Sequence, residues 1–174
     1  MGFKLHALLT ACVIALAAPA AAQTVDWNSE SNRTWWNGVT GAEIRELAVE
    51  AGGVWTDLPD EENVRIGRID WPDLAGVLVR EIDCPTPERP MEERNCGTLL
   101  LSIAVEQPDD VETWWLNSEG WVSLGRVDNG PALYRMEHHA FGTTRGHVLS
   151  NLMLFRVRAV TEIARIAEIN DSGW

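Results

Sequence analysis

Lysine is all but missing from this chain. Lys4 is the only one, and thirteen arginines carry the rest of the positive charge. Against them stand 26 Asp and Glu residues, for a net charge of −12 at pH 7. Nucleic-acid binders carry a basic footprint, so this balance argues against a nucleic-acid partner. It argues equally against an anionic membrane surface. Cysteine is scarce too, with three in 174 residues, which excludes a disulfide-dense scaffold and a thiolate-rich metal site. Beyond residue 22 no stretch is apolar for long enough to span a bilayer. A phosphate-cradling loop is absent, because residues 142–146 are too short for one and contain no lysine. Ser102 and Ser123 both fall in the middle of strand-like runs, and no Gly-x-Ser-x-Gly elbow occurs. Adjacent carboxylates such as Asp109 and Asp110 are expected in so acidic a chain, and nothing sets two of them across a cleft.

The N-terminus has a pattern of its own. Lys4 precedes an apolar run over residues 5–18, and Ala20, Ala21 and Ala22 lead to Gln23. That reads as a secretory signal peptide cleaved near Ala22 and Gln23, which places the mature chain in the periplasm or outside the cell. A lipid-attachment box at residues 9–12 is the competing reading. Cleavage removes Lys4 and Cys12, leaving a net charge of −13 and two cysteines, Cys84 and Cys96. In an exported protein such a pair reads as one disulfide. Closing a loop of that size stabilises by about 3 kcal/mol in the chain-entropy model. A redox pair would more often show Cys-x-x-Cys spacing.

The rest divides into a lead-in over 23–38, one domain over 39–168 and a tail over 169–174. The lead-in is polar apart from Trp27, Trp35 and Trp36, and reads as an extended segment pinned by the last two. Thr40 and Glu43 form a capping box, and Ile44, Leu47, Ala48 and Ala51 recur at helical spacing up to Gly52 and Gly53. Strands are predicted over 64–69, 76–82 and 97–105. The third is apolar on both faces and belongs in the centre of a sheet. Pro108 opens a short helix carrying Val111, Trp114 and Trp115. Strands over 121–127 and 132–141 follow, joined by a turn with Asn129 and Gly130. Val148, Leu152, Phe155, Ala159, Ile163 and Ile166 then define a long helix over 144–168. The class is α+β: an antiparallel sheet of about five strands, with an N-terminal helix, a short middle helix and a long C-terminal helix packed on it.

Residues 82–166 resemble the YbjN-type domain, a bacterial family described as sensory transduction regulators. The pattern is Cys84, a loop to Cys96, the apolar strand from Leu99, then Val111 and Trp114. It continues through Trp121, Gly125 and Arg126 to a final helix near His147 with Asn151 and Leu152. The first helix, Thr40 to Leu47 with Gly52 and Gly53, is similar as well. The resemblance implies a fold like that of type III secretion chaperones and no known reaction, so no catalytic residues are carried over.

Two constellations remain. Glu137, His138, His139 and His147 are the metal candidates, but on a regular strand His138 and His139 point to opposite faces. No metal and no cofactor are expected. Nine tryptophans against one tyrosine is the stronger signal. Trp114, Trp115 and Trp121 are expected to form an exposed aromatic patch, with Arg126 placed to orient an acidic group. The plainer alternative is that they fill core edges. The expected function is that of an exported, non-enzymatic interaction protein binding a protein or peptide in the periplasm. A small hydrolase or lyase with an unrecognised site and an envelope-stress protein without a ligand are the alternatives. Exposed edge strands leave room for a homodimer.

Overall fold

The computed structural model describes residues 24–172, apart from 62, 86–88, 119 and 129. The expected leader lies outside the described residues. Six strands form one antiparallel sheet: β2 (Val54–Asp57), β3 (Arg65–Trp71), β4 (Leu74–Ile82), β5 (Thr98–Ala104), β6 (Ser123–Val127) and β7 (Gly130–His138). Their order across the sheet is β2-β3-β4-β5-β7-β6. Three helices pack on it: α2 (Gly41–Glu50), α3 (Val111–Asn117) and α4 (Arg145–Asp171). The α+β class is as expected, with one strand more. That strand, β2, is only four residues long and none of its side chains is buried, so it has no hydrophobic pattern to betray it.

The helix signals work locally. Thr40 accepts a hydrogen bond from the Glu43 amide at 3.4 Å, and Glu43 Oε2 accepts from the Thr40 amide at 2.8 Å, completing the capping box of α2. Ile44, Leu47, Ala48 and Ala51 are all buried. Gly52 ends the helix with φ +77°, a left-handed conformation that costs glycine nothing. Thr144 caps α4 by accepting from the His147 amide. Along α4, Val148, Leu152, Phe155, Ala159 and Ile166 are buried in one stripe. Glu162 is buried among them and is neutralised by Arg165 at 3.1 Å.

β5 is central and lined on both sides. Leu99, Leu101 and Ile103 point into the core beneath the helices, while Leu100 and Ser102 point to the opposite face, beside Arg80 on β4 and Tyr134 on β7. Cys84 and Cys96 form a disulfide that closes the loop between β4 and β5. The loop is tied to the start of α2 by paired backbone hydrogen bonds between Val39 and Cys96, at 3.1 and 2.9 Å. A disulfide suits a non-cytoplasmic compartment. Among the described residues no helix is long and apolar enough to cross a membrane.

The lead-in is not simply extended. It makes a single turn of helix, α1 (Glu30–Arg33), and then β1 (Trp35–Trp36), which pairs with β8 (Thr143–Thr144) as a separate two-stranded ribbon. Trp36 packs against the core, whereas Trp35 stays exposed and lies over Gly142, whose missing side chain leaves it room. Helix α4 also runs on to Asp171, into the expected tail.

Candidate functional site

The site is built on α3. Asp110 caps this helix, accepting from the Thr113 amide at 2.9 Å, and the Ser118 amide closes it onto the Trp114 carbonyl at 2.8 Å. The Thr113 hydroxyl and then its amide hold the Asp110 carboxyl below its ordinary value. Two side chains of α4 fix α3 from below. Asn170 accepts from the Asp109 amide at 2.9 Å and donates to the Gln107 carbonyl at 3.4 Å, pinning the segment that leads into α3. Arg165, paired with Glu162, donates to the Asn117 carbonyl at the other end. A seven-residue helix has little stability of its own, so these clamps and one buried ring hold it in place.

That ring is Trp114, only 1% exposed and part of the main core. The expected patch of three tryptophans is therefore corrected. Successive residues on a helix turn through about 100°, which carries the Trp114 ring into the core and the Trp115 ring off to the outer side of α3. Trp115 is the outward one, 63% exposed, with its ring centroid 6.3 Å from that of Trp114. Trp121 is half-buried and packs against the same core as Trp114. The Arg135 guanidinium stacks over its ring at 4.8 Å, and Arg135 Nε donates to Glu137 at 2.6 Å. Arg126 is exposed on β6, opposite Pro131. Of the four expected residues, Trp114 and Trp115 are in contact, but with opposite roles.

The outward face of α3 has two further members. Val111 is 45% exposed and sits one turn before Trp115; Leu116 is 75% exposed and next to it. Leu116 was not among the expected site residues, and no pattern in so short a helix singles it out. Two hollows flank the last turns of α4. One, of about 330 Å³, is lined by Thr113 and Asn117 of α3 and by Arg165, Glu168 and Ile169 of α4. The other, of about 240 Å³, is mostly apolar and is bounded by Ala104, Val105, Ile163 and Ile166.

The histidines do not converge. His138 is exposed on β7, with Nδ1 3.2 Å from the Thr98 hydroxyl, which donates to Asp83 at 3.0 Å. His139 is buried, and burial pushes its pKa down. His147 is exposed at the start of α4 and lies 3.1 Å from Asn151. Among the described residues no group of three or more His, Cys, Asp or Glu is placed to hold a metal ion.

Comparison with family models, curated proteins and solved structures returns no match for this chain.

Proposed function

We propose that this chain is an exported, non-enzymatic interaction protein that binds a basic, apolar peptide segment of a partner on the outward ridge of α3. The observation that carries the reading is the exposure of Trp115 on a helix locked in place at both ends. An aromatic ring carried on a helix already anchored at both ends gives binding energy without the entropy cost of ordering that helix first. Val111 and Leu116 extend it to a small apolar surface. The chemistry of the partner follows from charge. Between residues 95 and 125 there are five Asp and Glu and no Lys or Arg. Arg165, which does reach α3, is neutralised by Glu162. A segment with Lys or Arg beside an aliphatic or aromatic residue suits such a surface. The resemblance to the YbjN-type family enters as part of this proposal, on the residue pattern alone, and so does a periplasmic location.

Fluorescence polarisation with labelled peptides tests it. Basic peptides containing Leu, Phe or Trp should bind, and the same peptides with Glu in place of Lys should not. Trp115→Ser combined with Leu116→Ser should weaken binding about ten-fold or more, the equivalent of 1.4 kcal/mol. Equal binding by that variant, or no binding by any basic peptide, would sink the proposal.

A further inference from the structure

A second concave site lies away from α3, under the disulfide-closed loop. It is a cleft of about 390 Å³ between α2, the β2–β3 pair and that loop. Its size is at the lower end of small-molecule pockets, roughly 300–1,000 Å³. Arg45 enters from α2, Asp57 and Asp60 from the end of β2 and the turn after it, Arg65 from β3, and Glu92 from the disulfide loop.

Arg65 is the unusual member. Its side chain is only 8% exposed, and it pairs through Nη2 with Glu81, which is more deeply buried still. An arginine with five N–H donors is seldom left so poorly supplied with acceptors. Among the described residues Nη2 meets only Glu81 and no hydrogen bond is made by Nε or Nη1, while the side chain lines the cleft. Gly41, the first residue of α2, makes room for Nη1 by having no side chain. A helix N-terminus repels a cation, so stability alone is a poor reason to keep a guanidinium there. Burial pulls its pKa down to about 10, leaving it charged at neutral pH.

The other charges around the cleft divide into committed and uncommitted. Asp57 is held by Arg45 at 2.8 Å and by the Trp55 indole N–H at 2.8 Å. Asp60 accepts only the Ile66 amide, at 3.2 Å, and Glu92 has no ion-pair partner among the described residues. The cleft thus offers open donors on a buried cation and two open carboxylates. A simple anion reaching Arg65 would meet Asp60 and Glu92. A simple cation reaching those carboxylates would meet Arg65 and Arg45. A ligand with both charges a few bonds apart satisfies all of them.

We propose that this cleft binds a small zwitterion of amino-acid size, its carboxylate on Arg65 and its ammonium between Asp60 and Glu92. The site is independent of the ridge on α3 and brings a second class of ligand to the molecule.

Titration calorimetry of the purified protein with each common α-amino acid tests this. At least one should bind. Its N-acetyl derivative and its amide, which lack the ammonium and the carboxylate respectively, should each bind about ten-fold more weakly or worse, because each loses a charge-assisted contact. Asp60→Asn and Glu92→Gln alter exposed residues and should leave the melting curve cooperative while weakening the same amino acid about ten-fold. Arg65→Lys, read only if its melting curve stays cooperative, should abolish binding. No heat with any amino acid, or an N-acetyl derivative that binds as tightly as its parent, would overturn the assignment. So would indifference of the interaction to Asp60→Asn and Glu92→Gln together.

Discussion

The guanidinium of Arg65 occupies the space in which a side chain on Gly41 would begin. Helix propensity alone says that Gly41→Ala should stabilise α2 by as much as about 1 kcal/mol. The contact reverses the sign: the methyl group must displace a buried cation, so a loss of about 1–3 kcal/mol is expected in urea unfolding. In an Arg65→Met, Glu81→Leu background the obstacle is gone, and Gly41→Ala should become neutral or stabilising. Two substitutions that touch one another should fail to add in this way. A Gly41→Ala variant as stable as its parent would remove the argument.

Arg65 and Glu81 face each other across the β3–β4 ladder, both buried. Glu81→Leu alone strands the guanidinium and should cost about 3–5 kcal/mol. Replacing both, as Arg65→Met with Glu81→Leu, should return most of that loss, because two desolvation penalties disappear together. Equilibrium unfolding of the two variants decides it; a double variant no more stable than Glu81→Leu would mean that the pair carries fold stability that apolar packing cannot replace.

The two neighbouring tryptophans should behave as opposites. Trp114→Ala empties a core position and should cost about 3–5 kcal/mol. Trp115→Ala removes an exposed ring and should stay within about 0.5 kcal/mol of the parent. Denaturation midpoints measured side by side test this directly, and only a Trp115 variant that keeps its stability can be used to test the proposed binding.

Acid should weaken the fold through His139. Burial lowers its pKa most; Glu137 opposes that, while His147 and His138 add to it. The folded chain therefore keeps the imidazole neutral where the unfolded chain begins to protonate it, at about pH 6.5. The contribution is fully present above that pH and is lost as pH falls below it. The lowered carboxyls of Asp57 and Asp73 act further down, below about pH 4. Melting temperatures taken from about pH 7.5 to about pH 5.5 should fall, and His139→Phe should flatten that slope. An unchanged slope in the variant would assign the effect to another group.

Much of the fold was legible in the sequence where the signal is local. The capping box at Thr40 and Glu43, the stripe along α4 and the doubly apolar β5 each need only neighbouring residues to be read. The Cys84–Cys96 pairing was legible because only two cysteines remain once the expected leader is removed. β2 was not, since no side chain of Val54–Asp57 is fully buried, Trp55 being only partly so, and the strand owes its pairing to β3. On the site, the sequence located α3 but not its inward and outward faces, because two turns of helix are too few to define a period. The cleft was invisible: Arg65 and Glu81 meet only through strand register, and Glu92 approaches only because the disulfide loop folds back onto α2.

Helix α4 runs for 27 residues, about 40 Å, without a break. At its first residue Arg145 reaches Asn32 at 2.7 Å in the lead-in and Glu46 at 2.9 Å on α2. Near its far end Asn170 holds the segment entering α3. The molecule is thus strung along a single rod gripped at both ends. A load applied to α3 reaches α4 through Asn170 and Arg165 and the core through Trp114, and along α4 it is carried towards the lead-in. In mechanical terms the exposed ridge of α3 is mounted on a beam, and the stiffness of α4 sets how far it can yield.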